Sequence, residues 1–313
     1  MKLVVIIPAL NEAEAIPRVI QAVPRNIPGI AELEIIVIDD GSTDSTATAA
    51  RQAGARVISH QGNQGVGRSF QTGLQAALDA GADILVNIDG DGQFEAAEIP
   101  LLLAPILAGR ADFVPADRFA HSQGGIRKPE NMSGLKYWGN QVMSGLIGSL
   151  TNKRFNDVSC GFRAYSREAL LQLNLTGVFT YTQETFLDLS FKNLRIEPVP
   201  VTIHYFPERK SRVAGNLFKY TLRTLNIILR AYRDFRPLRF FVTLGLIPFI
   251  PGTAASIFMI IFYLLNGQFT PYKAVGFAGI YLVSLGLVLF IAGFLADMFM
   301  RLRQNQEKIL YHL

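Results

Sequence analysis

Apolar and polar positions follow two regimes along this chain. Up to about Leu103, strand-like runs at Leu3 to Ile7, Glu34 to Ile38, Arg56 to Ser59 and Ile84 to Ile88 alternate with stretches of helical spacing; a last run covers Ile196 to His204. Strands alternating with helices predict an α/β domain with a mostly parallel sheet and right-handed crossovers. Asn11, followed three residues later by Glu14, predicts a capping pair for the helix after the first strand. Between Ala120 and Thr151 the chain is first rich in Gly, Ser and Asn and then helical, which fits either a lid or a surface excursion.

The second regime begins near residue 240. No residue is charged from Phe240 to Tyr272 or from Ala274 to Ala296, and each stretch reaches the roughly 20 residues that cross a hydrocarbon core as a helix. Two transmembrane helices are predicted, at about 240–266 and 274–299, joined by the short polar turn Asn266 to Pro271. Pro248 and Pro251 should kink the first or mark its entry. Arg236 and Arg239 precede the hairpin and Arg301, Arg303 and Lys308 follow it, which predicts cytoplasmic termini, a cytoplasmic catalytic domain and a plasma-membrane protein. Before the hairpin, Phe218, Leu222, Leu225, Leu229 and Tyr232 recur at steps of three and four beside Lys219, Arg223, Arg230 and Arg233, the pattern of an amphipathic helix in the membrane interface. The expected division is therefore a catalytic domain over 1–207, a basic juxtamembrane segment over 208–238, and the hairpin with a short tail over 239–313. Gly276, Gly279, Gly286 and Gly293 offer small faces for helix packing between subunits, so a homo-oligomer is expected.

Composition supports this division. Half of the residues are hydrophobic and the mean hydropathy is +0.25, high for a wholly soluble chain. The net charge of +5 is concentrated: His204 to Arg239 carries nine Lys and Arg against Glu208 and Asp234. Those cations sit where anionic headgroups attract them, which argues against a nucleic-acid partner. A single cysteine, Cys160, excludes an internal disulfide framework, and the four histidines show no metal-ligand spacing. The apolar start is too short for a signal peptide, and Pro8 and Asn11-Glu12 follow it in place of a cleavage site.

The chemistry centres on Asp89-Gly90-Asp91, at the end of the run Ile84 to Ile88. Two carboxylates one residue apart can hold a hard divalent cation, and that cation lets them face a diphosphate of like charge. Asp-Gly-Asp is also a common turn. Its standing rises because Pro8 to Glu12 and Asp39 to Asp44 should share the same carboxyl edge of the sheet, where ligands collect.

Five motifs occur in order: Pro8-Ala9-Leu10-Asn11-Glu12, Asp39-Asp40-Gly41-Ser42-Thr43-Asp44, Asn63-Gln64-Gly65-Val66-Gly67, Asp89-Gly90-Asp91-Gly92-Gln93 and Asp157-Val158-Ser159-Cys160-Gly161-Phe162-Arg163. On these the chain resembles the family 2 nucleotide-sugar glycosyltransferases over residues 3 to 235, in the polyprenyl-phosphate branch that includes dolichyl-phosphate mannose synthases and bacterial undecaprenyl-phosphate glucosyltransferases. The resemblance implies a GT-A fold. It implies that Pro8, Leu10, Glu12 and Asp39 or Asp40 surround the base and ribose, with Gly65, Gly67 and Gly90 lining the donor. It further implies that Asp89, Asp91 and Gln93 hold Mg2+ or Mn2+ on the diphosphate. Val66 stands where Lys is frequent, and Asp117 precedes Arg118 where a small residue is common. Arg118 is a candidate for the diphosphate or sugar, Asp157 for positioning the acceptor, and Arg163, Arg209, Lys210 and Arg212 for the acceptor phosphate.

The resulting expectation is an inverting, metal-dependent transfer of one hexose, glucose from UDP-glucose first and mannose from GDP-mannose second, to a polyprenyl phosphate such as undecaprenyl phosphate. Against a processive polysaccharide synthase stands the lack of a Gln-x-x-Arg-Trp motif, since the one tryptophan is Trp138. An Asp-x-Asp phosphohydrolase leaves the nucleotide-side motifs unexplained. A noncatalytic membrane scaffold is disfavoured by intact Asp89, Asp91 and Asp157.

Overall fold

The computed structural model describes the chain except residues 121–125, 176–180, 206–225, 227–228, 231 and 313 and the side chains of 303–305 and 307–312. Two compact units emerge, Met1–Ile228 and Leu229–Leu313.

In the first unit, β1 (Lys2–Ala9), β2 (Glu32–Asp39), β3 (Arg56–Ser59) and β4 (Ile84–Asn87) are parallel, as the alternation predicts. The strands β5 (Phe113–Asp117), β6 (Arg163–Ser166) and β7 (Val199–Pro200) extend the sheet in the order β3-β2-β1-β4-β6-β5-β7, with β6 antiparallel to both neighbours. Strand β1 is apolar almost throughout because both of its faces are covered. Leu3, Val5 and Ile7 pack with Ile16, Val19 and Ile20 of α1 (Ile16–Ala22) and with Leu102 and Leu103 of α4 (Ile99–Leu107). Between these helices in sequence lie α2 (Thr46–Gln52) and α3 (Val66–Asp79). On the opposite face α3 approaches so closely that a Cβ on Gly73 would lie 2.8 Å from Ile6 Cδ1.

Register brings the motifs together. Ala9 pairs with Asp39 across β1 and β2, and Ile6 with Asn87 across β1 and β4. The segments after all three strands therefore emerge on one edge, on either side of β1. Because β6 runs antiparallel, with Arg163 opposite Asn87, the turn before it, Asp157 to Phe162, arrives at the same edge.

Two local expectations change and a third holds. Helix α1 begins at Ile16 with no side-chain cap; Asn11 instead adopts φ 51° and accepts a hydrogen bond from Thr43 N at 2.8 Å. Asn tolerates this left-handed conformation, so it serves the turn and not a cap. The run from Ile196 to His204 supplies only the two-residue β7, with isolated bridges at Ile196 and Ile203, because Pro198 and Pro200 cannot donate to a ladder. The helical part of Ala120 to Thr151 is α5 (Gly134–Thr151), followed by α6 (Arg167–Gln172) and α7 (Thr182–Phe191).

The second unit holds helices Pro237–Asn266 and Lys273–His312, joined by a turn in which Gly267 is left-handed at φ 68°. Their apolar stretches, Pro237–Asn266 and Lys273–Leu302, are long and apolar enough to cross a membrane, with mean hydropathies of 2.0 and 2.4. Pro248 and Pro251 lie inside the first helix, not at its entry. The small residues face the other helix of the same chain. A Cβ on Gly252 would lie 2.7 Å from Val283 N, one on Gly286 2.7 Å from Phe249 Cβ, and one on Gly293 2.9 Å from Phe241 Cβ. Gly279 packs against Gly252 and Ser256, and Gly276 against Met259. The faces expected to join subunits are thus used within the hairpin, and side chains such as Ile247, Leu264, Phe277, Tyr281 and Phe294 point outward.

Candidate active site

Asp89 lies two residues beyond the end of β4. Its carboxyl is pushed up to about 7, first by burial and then by the neighbouring charge of Asp91, while Arg118 and Arg163 pull the other way. Gly161 faces it directly: a Cβ there would meet both Asp89 carboxylate oxygens at 2.7 Å. Asn87 fixes Gly161, donating to its carbonyl at 2.6 Å and to the Tyr181 hydroxyl at 2.8 Å. Tyr181 in turn stacks on Phe70, with ring centroids 4.0 Å apart.

The Asp157 turn is held from two sides. Arg118 grips Asp157 in a bidentate pair, Nε to Oδ2 at 2.6 Å and Nη2 to Oδ1 at 2.9 Å, and also donates to Ser159 Oγ at 2.8 Å and the Tyr205 hydroxyl at 3.1 Å. Burial opposes ionisation of Asp157 most strongly, yet the charge and hydrogen bonds of Arg118 outweigh it and hold the carboxyl below the ordinary carboxylate range. Arg163 is fully buried among Phe113, Tyr181 and Phe186 and donates to the carbonyls of Cys160, Thr182 and Val158. Its assignment to the acceptor phosphate is therefore corrected: it is a backbone clamp shut off from solvent. Asp117 likewise closes the turn after β5, accepting from Phe119 N, Ala120 N and Asn156 Nδ2.

The loops on the other side of β1 are stitched together. Asn11 N donates to Ser42 Oγ at 2.9 Å, Glu12 N to Thr46 Oγ1 at 2.7 Å and Ala13 N to Asp44 Oδ2 at 3.3 Å. Asp39 accepts from Ser42 N at 3.0 Å. Asp40, by contrast, spends both oxygens on the fold: Oδ1 meets His60 Nδ1 at 2.8 Å and accepts from Gln64 N at 2.9 Å, and Oδ2 accepts from Gly65 N at 2.8 Å. Asp40 is thus held by the fold on both oxygens where Asp39 is held on one, and the Gly65 amide donates to Asp40. Gly67 is buried in the first turn of α3.

The profile of glycosyl transferase family 2 matches residues 4–173. The chain belongs to that family. Glycosyltransferase AglJ of Haloferax volcanii is 28% identical over 256 residues, covering 82% of this chain and 80% of that protein. The undecaprenyl-phosphate mannosyltransferase of Micrococcus luteus is 26% identical over 232 residues, covering 69% and 89%. Among solved structures, Mycobacterium tuberculosis glucosyl-3-phosphoglycerate synthase in complex with Mn2+, UDP-glucose and phosphoglyceric acid superposes with a TM-score of 0.56 at 25% identity, covering 74% of this chain and 79% of that one. The first unit has the GT-A catalytic fold, and the protein is a glycosyltransferase that takes its sugar from a nucleotide sugar.

Within this family 2 frame, Pro8, Leu10, Glu12, Asp39, Gly90 and the Asp89–Gln93 turn share the carboxyl edge with Arg118 and Asp157. Arg209, Lys210 and Arg212 lie outside the described residues. Asp91 accepts from Gln93 N at 3.0 Å, which folds the turn so that the two follow each other closely. No group of three or more His, Cys, Asp or Glu suited to a metal is found among the described residues. Two carboxylates and an amide are nonetheless a hard-oxygen set, and the mutual repulsion of Asp89 and Asp91 would be relieved by a cation between them. The residues present fit a divalent ion that completes its shell on a diphosphate. Asn87, Tyr181 and Tyr205 escaped sequence reasoning; only Asn87 left a signal, as a polar residue in an otherwise apolar strand.

Proposed function

We propose that the protein transfers a single hexose, with inversion, from a nucleoside diphosphate sugar to a polyprenyl phosphate at the cytoplasmic face of the plasma membrane. UDP-glucose and undecaprenyl phosphate are the favoured pair. The observation that carries the acceptor class is the hairpin: its long apolar helices turn Ile247, Leu264, Phe277 and Phe294 outward, and only 22% and 11% of their most apolar windows is buried. A soluble core helix buries such a surface, whereas a bilayer accommodates it. The Micrococcus luteus relative, named for undecaprenyl phosphate, supports the same class. That name also favours a second reading, mannosyl transfer from GDP-mannose to the same lipid.

The carboxylates of Asp89 and Asp91 and the side chain of Gln93 would hold Mg2+ or Mn2+, which supplies neutralisation of the departing diphosphate. Pro8, Leu10, Glu12 and Asp39 line the base and ribose. A lipid phosphate, with a second pKa of about 6, is anionic near neutral pH and needs no base to activate it. Asp157 suits this, because Arg118 keeps it ionised and fixed, a positioning group more than a proton acceptor. With four of its five N–H groups engaged, Arg118 acts on substrate through Asp157 and its remaining N–H.

A screen of radiolabelled nucleotide sugars with the purified chain tests this, with undecaprenyl phosphate and 3-phosphoglycerate as alternative acceptors. Label from UDP-glucose should enter the organic phase. Label from GDP-mannose there selects the second reading, and label confined to a water-soluble phosphoglycerate product refutes the lipid acceptor.

A further inference from the structure

Helix α5 buries the polar Asn140 and Ser144 beside Ile147 and turns large apolar side chains outward. Asn140 and Ser144 point inward, donating to Asn156 O at 3.1 and 3.0 Å, and Asn140 Oδ1 receives the Ser159 hydroxyl at 2.5 Å. The outward stripe is apolar: Leu135 is 59% exposed, Trp138 64% and Val142 50%. Spacings of three and four residues put these side chains on one face. A water-facing helix has the reverse arrangement. The inward half of α5 supports the Asp157 turn, so the outward half belongs to an element that touches the reaction centre.

We infer that this stripe lies against the lipid headgroup region, making α5 a second membrane contact of the catalytic unit, separate from the hairpin; the inference rests on the reading of that hairpin as a membrane anchor. Charge selects the occupant. Lys136 is the one charged residue of α5, and exposed Arg127 and Lys128 precede the helix with Ile126, itself 55% exposed. Glu130 offsets only Arg127, at 3.5 Å. Tryptophan and aliphatic side chains edged by cations match the boundary of an anionic bilayer. Three side chains spanning about 10 Å of helix fall well short of the roughly 800 Å² per partner in a standard protein interface.

Trp138 is the only tryptophan, so its fluorescence reports this helix alone. The full chain is reconstituted in nanodiscs of phosphatidylethanolamine and phosphatidylglycerol, with plain or brominated acyl chains. Trp138 should emit at a blue-shifted wavelength and lose most of its intensity when the bromines lie near the headgroups. Emission typical of water, quenched by iodide and indifferent to bromine, overturns the inference while leaving the anchor standing. A blue shift that ignores bromine also overturns it, because protein then covers the stripe, whether a second copy or another segment. Failure of the chain to enter the discs refutes the anchor and the inference together. In discs, the L135S/V142S variant, which retains the reporter, should lose the blue shift and raise KM for the lipid acceptor while leaving KM for the nucleotide sugar unchanged; equal changes in both count against the membrane role.

Discussion

At the scale of single residues, the site depends on what Gly161 lacks. Any side chain there drives into both oxygens of Asp89 at 2.7 Å, a distance at which something has to move. Gly161→Ala should therefore weaken binding of Mn2+ with UDP at least about tenfold, a loss of about 1.4 kcal/mol, with circular dichroism unchanged; calorimetric titration measures it. Arg118→Met should act on stability instead, because removing one partner of a buried ion pair costs about 3–5 kcal/mol of folding free energy, read as a lower thermal midpoint. The sign of its pH effect follows from Asp157. The folded carboxyl sits below its unfolded value, so its contribution to stability is present above the unfolded pKa of about 3.9 and is lost as pH falls through the folded one. Without the Arg118 side chain, burial is opposed only by the backbone N–H groups of Ser159 and residue 118, the Asp157 pKa rises, and the acid limb of the activity profile should move to higher pH. A pH–rate series on the variant checks this, and an unmoved limb would remove Asp157 from the reacting geometry. None of these contacts could be read beforehand, since Asp157, Gly161 and Asp89 meet only after β6 inserts antiparallel beside β4.

Among the elements, legibility tracked the length and apolarity of each run. Strands β1, β2 and β4 were visible because parallel strands covered on both faces leave continuous apolar runs, and the edge strand β3 was visible from the β-branched pair Val57-Ile58. Strands β5 and β6 were not, because Phe113–Asp117 and Arg163–Ser166 are short and carry the charged Asp117 and Arg163, whose roles in turn closure and clamping appear only in three dimensions. The same limit applied to the hairpin. Its glycines announced close helix packing, but nothing in their spacing said whether the partner was another subunit or the neighbouring helix. Gly252 meets backbone at Val283 and Gly279, so Gly252→Leu should separate the two helices of one chain and lower the thermal stability of the purified protein in detergent. Disulfide trapping between cysteines placed at Met259 and Gly276, whose Cβ atoms would lie 3.9 Å apart, should give an intramolecular crosslink in the parent and little in Gly252→Leu. A covalent dimer as the main product would restore the intersubunit assignment.

For the whole molecule, the proposed function implies a donor side and an acceptor side that are separable. The edge formed by β1, β2 and β4 carries the nucleotide-facing loops, and Asp91→Ala should abolish divalent-dependent transfer while leaving the fold intact. Full activity of that variant in excess chelator would sink the metal assignment. The acceptor side begins where the last strand ends. Tyr205, the final described residue before the basic stretch, rests its hydroxyl on the guanidinium that holds Asp157. On the proposed reading Tyr205 marks a seam: exchanging the sequence beyond it should change the acceptor while leaving the donor loops undisturbed. Grafting the downstream stretch of a relative onto this chain at that seam is thus a rational route to changing what receives the sugar.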